Sequence, residues 1–250
     1  LECWTQLTWI AARFPTPLLG TIVMANDYRH PPYLAKMAAS LQVFSHGRFV
    51  LGYGAGWQEE EYRAYGFDYA APKVRIEKMV EGIEVIKALW TQRPATYAGR
   101  HYQVTDAFCE PQPDPPIPIM IGGDGERFLL RAVAQHADWW NSVTRRPGVL
   151  RHKLAVLRDH CQAVGRDFED IRKTITMTIY LAESKAAAER LAGDALQRNH
   201  PPFAGEPAAL IDHLHEHVEM GFDLFQFAFP AFPETHDMRL FVDKVMPAFR

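Results

Sequence analysis

Gly122-Gly123-Asp124-Gly125 follows the short apolar run Ile119 to Ile121 and precedes a helical pattern from Glu126 to Ala137. Glycines let a backbone approach an anion closely, and the amides at a helix start carry partial positive charge. The segment is therefore a candidate phosphate loop. A plain tight turn between strand and helix is the other reading of the same residues. Asp124 would repel a phosphate unless its side chain turns away. A second glycine cluster, Gly52-x-Gly54-x-Gly56-Trp57, lacks the G-x-G-x-x-G spacing of a dinucleotide fold, and no acidic residue follows in a matching βαβ unit. His213, His215 and His217 lie on a predicted helix where two of them could grip a metal, but no third ligand is evident, so no metal site is assigned and a solvated helix face is expected. A serine nucleophile on a G-x-S-x-G elbow is absent.

These residues need a scaffold, and the composition permits one. The chain has 250 residues, 48% hydrophobic and 23% charged, which is ordinary for a packed globular domain of enzyme size. A net charge of −3 with interspersed signs offers no basic stripe for nucleic acid and no polybasic segment for a membrane surface. Cys3, Cys109 and Cys161 are scattered and odd in number, as expected in a reducing cytoplasm. Leu1 to Phe14 is amphipathic and lacks a basic start, so it is not read as a signal peptide.

Strand-like runs alternate with helical periodicity throughout, the pattern of parallel β-α-β units. Strands are expected at 18–25, 49–53, 119–121, 138–141, 174–181 and 224–229. Helices are expected at 3–12, 33–44, 74–90, 126–137, 150–164, 185–196, 208–220 and 238–249. A hairpin with Gly99 at its turn makes an excursion over about 91–117, and 199–206 reads as a loop. The whole chain, 1–250, reads as a single domain. Six β-α units suggest either a (β/α)8 barrel whose first two units are absent from this chain, or an open six-stranded sheet.

The residues that decide between them are Gly20-Thr21-Ile22-Val23, Tyr28-Arg29-His30-Pro31, and Gly47-Arg48-Phe49-Val50-Leu51-Gly52-Tyr53-Gly54-Ala55-Gly56-Trp57 with Glu59-Glu60-Glu61-Tyr62. Pro118 to Arg127 and Ala137-Asp138-Trp139-Trp140-Asn141 continue the series in order. Together they resemble the bacterial-luciferase-like oxidoreductases, in particular the branch that uses the deazaflavin coenzyme F-420.

The resemblance implies a (β/α)8 TIM barrel that binds coenzyme F-420, or alternatively FMN, at the C-terminal mouth of its strands. It implies hydride transfer between the cofactor and a small organic substrate. An FMN-dependent monooxygenase, a cofactor-binding barrel without turnover, and a non-flavin barrel that takes a phosphorylated metabolite are the competing readings. Cofactor contacts are implied at Ile22, Val23, Asn26, Gly54, Trp57, Gly122, Gly123, Asp124, Gly125 and Trp140. In this family Ile22-Val23 is often a cis pair that bulges the strand; an ordinary strand pair is the equal expectation here. Asn26 also reads as a turn residue and Trp57 as a core aromatic, while one of Trp139 and Trp140 is expected in the pocket and the other in the core. Family members usually carry an acidic and histidine pair in the first two β-α units, and no counterpart is found here, so the catalytic residues stay unassigned. A homodimer is also implied, with 33–44 as its candidate contact.

Overall fold

The structure, a computed structural model, describes residues 1–143 and 146–249. It divides into two compact units, 1–140 with 160–171, and 141–159 with 172–250.

The first unit opens with helix α1 (Cys3–Arg13), capped by the Glu2 carboxylate, which accepts from the amides of Trp4 and Thr5. The expected strand over 18–25 is broken into β1 (Leu19–Gly20) and β2 (Met24–Ala25), with Thr21 to Val23 between them. Both halves pair in parallel with β3 (Phe49–Gly54), which pairs in turn with β6 (Ile119–Gly122). β3 is buried along its whole length, as a central parallel strand covered on both faces should be.

Helices α2 (Pro31–Phe44) and α4 (Pro72–Thr91) pack on each other and on β3. Their contact uses small residues on one side and large ones on the other. Ala35, Ala38 and Ala39 of α2 are buried, as are Ile83, Ile86 and Trp90 of α4, and the Trp90 indole N–H donates to the Ala35 carbonyl at 3.0 Å. Between β3 and α4 lies the short helix α3 (Glu59–Ala64), whose three glutamates occupy the first turn, where the helix dipole favours them. After α4, β4 (Ala95–Ala98) and β5 (Gln103–Ala107) form the antiparallel hairpin expected around Gly99. Helix α5 (Leu129–His136) begins three residues later than the periodicity suggests, because 126–128 form a turn that closes the glycine loop.

β7 (Trp139–Ser142) and α6 (Pro147–Val164) span the division between the units. The second unit is built on β8 (Arg172–Leu181), paired in parallel with β10 (Phe222–Ala228). Ile175, Met177, Ile179 and Leu181 of β8 are fully buried, whereas the alternating Thr176, Thr178 and Tyr180 are half-buried, so its two faces differ in polarity. Asn141 ties β7 to this face. Its amide N–H groups donate to Thr174 Oγ1 and Gln226 Oε1, both at 2.9 Å, and its Oδ1 accepts from Thr176 Oγ1 at 3.1 Å. Helices α7 (Lys185–Ala192), α8 (Pro207–Glu219) and α9 (His236–Leu240) complete the unit, with a π-helical turn at Phe241–Val245.

Three expectations are corrected. The stretch 199–206 contains a short strand, β9 (Phe203–Gly205), paired with the end of β8. The closing helix over 238–249 is three short pieces rather than one. The histidines of α8 do not share a solvated face: His217 is fully buried and stacks edge-on with His213 at 4.6 Å, while only His215 is exposed.

Candidate cofactor site

The glycine spacing of β3 is explained by the broken strand beside it. A Cβ at Gly52 would overlap the Thr21 carbonyl oxygen, so its absence lets the bulged segment lie directly against β3, where Thr21 Oγ1 donates to the Gly52 carbonyl at 2.6 Å. Two residues on, a Cβ at Gly54 would sit 2.5 Å from Val23 Cγ2. The Val23 side chain therefore reaches over β3 to the end of β6, where a Cβ at Gly122 would lie 2.9 Å from Val23 Cγ1 and 3.2 Å from Cγ2. Val23 thus occupies the space that two glycines leave open. Among the described residues every cis peptide precedes a proline, so Ile22-Val23 is a trans pair and the bulge comes from packing against glycine.

The loop Gly122 to Gly125 lies at the C-terminal end of β6 and enters α5. Gly122, Gly123 and Asp124 are half-buried and Gly125 is exposed. Gly123 adopts φ +122°, a conformation that L side chains rarely take. Its carbonyl accepts the Trp140 indole N–H at 2.8 Å, and the Gly125 carbonyl accepts the Leu130 amide at 2.9 Å. Two of the loop's carbonyls are thus held by α5 and Trp140. The amides of Gly123 and Gly125 donate to no other described residue.

The other implied contacts are distributed unevenly. Ile22 is 49% exposed and borders a cavity of about 330 Å³ between α1 and the free edge of β1–β2, a cavity that the glycine loop does not line. Trp57 is 81% exposed beyond the end of β3, and its carbonyl accepts the Tyr69 hydroxyl at 2.9 Å. Trp140 is fully buried beneath the loop, and Trp139 is half-buried. Asn26 is fully enclosed, with its side-chain amide next to the Tyr102 hydroxyl, which separates it from the exposed loop.

One supporting feature was not legible in the sequence. The Tyr62 hydroxyl lies where a Cβ of Gly56 would be and donates to Asp27 Oδ2 at 3.3 Å, while Lys78 Nζ stands 3.2 Å from Asp27 Oδ1. Burial, then the neighbouring Asp27 charge, pushes the Tyr62 hydroxyl well above its ordinary pKa, so it remains a donor. Burial and the hydrogen bond to Glu61 likewise push Tyr28 up to about 12. This cluster fixes the backbone leading to Trp57. The sequence signal was Gly56 itself, whose φ of +74° and contact with Tyr62 both require the missing side chain.

The arrangement can hold an elongated ligand with an anionic end. The Gly123 and Gly125 amides and the helix start would take the anion, and the Val23 bulge with Trp57 offers apolar surface for a flat ring. Among the described residues no group of three or more His, Cys, Asp or Glu could hold a metal ion, and no helix is long and apolar enough to cross a membrane.

A family model described as luciferase-like monooxygenase matches residues 1–224, and the chain belongs to that family. An uncharacterized protein of Mycobacterium tuberculosis is 32% identical over 169 residues, covering 67% of this chain and 58% of its own length. The chain thus spans less than two thirds of that relative. An F-420-dependent glucose-6-phosphate dehydrogenase of Microbacterium testaceum is 24% identical over 278 residues, covering 98% of this chain and 82% of the relative. Among solved structures, an F-420-dependent secondary alcohol dehydrogenase in complex with an F-420–acetone adduct matches the whole chain with a TM-score of 0.86 at 18% identity, over 84% of its own chain. The F-420-dependent tetrahydromethanopterin reductase of Methanopyrus kandleri matches the whole chain at 0.82 and 17%, over 88% of its own chain. These structural matches establish the shared α/β fold with parallel strands.

Proposed function

We propose that this chain is the cofactor-binding part of a coenzyme F-420-dependent oxidoreductase acting on a small organic substrate. The observation that carries the reading is the glycine loop: it lies at the end of β6, its Gly123 and Gly125 carbonyls accept from Trp140 and Leu130, and its Gly123 and Gly125 amides meet no acceptor among the described residues. Bound there, the deazaflavin would supply hydride transfer, the chemistry that belongs to the cofactor rather than to the chain. The Gly123 and Gly125 amides would hold the phosphate. Val23, wedged against Gly54 and Gly122, sets the height of the bulge that would meet the ring, and Trp57 would shield it from water. Trp140 acts from below, by fixing the Gly123 carbonyl, and Asn26 acts within the core.

The free edge of β1–β2 supports the finer reading that the fold is a (β/α)8 barrel whose remaining two β-α units pair on that edge and bring the catalytic groups, none of which is assigned here. A cytoplasmic location and a homodimer in contact through α2 fit the same reading.

FMN is the alternative cofactor, favoured by the monooxygenase description of the family. Titration of the protein with coenzyme F-420 and with FMN, followed by fluorescence quenching, separates them. The expected result is saturable binding of F-420 with much weaker binding of FMN. Tight binding of FMN alone would replace hydride transfer with oxygen chemistry, and binding of neither would overturn the reading.

A further inference from the structure

The second unit carries a polar strand face of its own. Along β10, Phe225 and Phe227 turn toward the helical side: the Phe225 ring lies 6.5 Å from His217 of α8, and the Phe227 ring lies 4.8 Å from Phe241 in the π-helical turn. Strand alternation then sends Leu224, Gln226 and Ala228 to the opposite face. They pair in register with Thr174, Thr176 and Thr178 of β8, so the two strands share one face of hydroxyl, amide and small side chains. Thr176, Thr178 and Gln226 are half-buried, and Ala228 is exposed.

Asn141 fixes how Gln226 presents its amide. An asparagine amide has two N–H donors, and both are spent, on Thr174 Oγ1 and on Gln226 Oε1, while its oxygen accepts from Thr176. Gln226 must therefore offer its oxygen to Asn141 and turn its NH2 group away. Neither that Nε2 nor the Thr178 hydroxyl meets a partner among the described residues. The two stand diagonally across the strand pair, and the short side chain of Ala228, in register with Thr178, leaves a recess between them. From Thr174 to Tyr180 and from Leu224 to Ala228 no residue of this face is ionic. Arg172, one step before it, is matched by Asp223 at 2.9 Å.

We infer that this recess binds the substrate as an uncharged compound, whose carbonyl or hydroxyl oxygen accepts from Gln226 Nε2 and pairs with the Thr178 hydroxyl. The inference rests on the proposed function and narrows it to a carbonyl and its alcohol: the carbonyl gains a hydride and a proton, and the alcohol loses both in the reverse direction. The lining does the selecting. An amide donor and a hydroxyl satisfy a neutral oxygen, whereas a carboxylate, phosphate or ammonium would leave water with no opposite charge to meet it. Ala228 is the last residue of β10, so the recess sits at the end of the strand where α/β barrel enzymes place their substrates.

The test is ligand-observed saturation-transfer NMR on the full chain with compounds that share a ring and differ in head group: cyclohexanone, cyclohexanol, cyclohexanecarboxylate and cyclohexylammonium. The uncharged pair should bind, and the charged pair at least about 10-fold more weakly. Thr178→Val removes the hydroxyl at nearly constant shape and should weaken both uncharged rings by roughly 3- to 10-fold. Gln226→Glu keeps an acceptor for Asn141 but loses the donor and adds a charge, so cyclohexanone should weaken by a similar factor while cyclohexylammonium gains. A Gln226 that only ties the sheet together would not give that exchange of preference, and melting curves check that both variants stay folded. Equal binding of all the compounds, binding of none, or variants that bind as the wild type does would overturn the inference. A parallel titration with coenzyme F-420 keeps the two readings apart. F-420 binding without the selectivity removes the recess alone, and selectivity without F-420 binding removes its role as a substrate site together with the oxidoreductase reading.

Discussion

Gly122→Ala tests whether the space between β2, β3 and β6 is as tightly filled as the geometry indicates. The added methyl would lie 2.9 and 3.2 Å from the two Val23 methyls and 3.7 Å from its Cβ. Val23 cannot retreat toward β3, because its Cγ2 already stands 2.5 Å from where a Gly54 Cβ would be, and its branched side chain has few other rotamers to adopt. Either the bulge or the glycine loop must shift. Overpacking of this kind costs about 1–3 kcal/mol, which corresponds to a loss of roughly 5- to 150-fold in cofactor affinity if the strain is released by moving the loop. Gly125→Ala is the control: the same methyl in the same loop meets only Leu129 Cβ at 3.5 Å, an ordinary contact, so the thermal midpoint should hold. Quenching titrations and melting curves on both variants decide the matter. If Gly122→Ala binds and melts like the wild type, Val23 is not confined and the account of the bulge is wrong.

The remaining predictions concern the loop's support and the second unit. Trp140→Phe keeps the buried ring but removes the indole donor from the Gly123 carbonyl, and should weaken cofactor binding by about 1–3 kcal/mol in the same titration; an unchanged Kd would show that the bond does not position the loop. Burial, with help from the His217 charge, holds His213 at a pKa of about 4, below its ordinary 6.5, and burial also lowers His217. Both imidazoles are therefore neutral in the fold, their full contribution is present above pH 6.5, and stability falls as the pH drops toward 4. At a pH of about 5 the His213 share is roughly 1–2 kcal/mol after allowance for its partial exposure. Urea midpoints across that range should fall in the wild type and flatten in His213→Leu; parallel curves would dismiss the histidine.

Much of this architecture could be read from the sequence because it is written in local periodicity. Helix α4 is long and amphipathic, so its apolar spacing alone marks it. The glycine loop is legible for a similar reason, since its residue types sit directly between an apolar run and a helix. Features made by distant partners are not visible in this way. Leu18 to Ala25 reads as one strand, and the break at Thr21 to Val23 is imposed by glycines 31 residues later that allow the backbone to press in. β9 exists because β8 offers it a partner, in a stretch whose prolines suggest only a loop. Trp139 and Trp140 are indistinguishable by type, and only the register of β7 sends the second one beneath the loop. His217 looked like one of three solvated histidines because helical spacing does not show which face meets Phe222 and Phe225.

The shared space at Val23 has an evolutionary consequence. Positions 23, 54 and 122 divide a fixed volume, so none of them can enlarge without another shrinking. Across the lineage they should drift as a correlated trio, with alanine at 122 accompanied by a smaller residue at 23. A sequence that breaks this exchange would mark a descendant whose pocket has been rebuilt for a differently shaped guest.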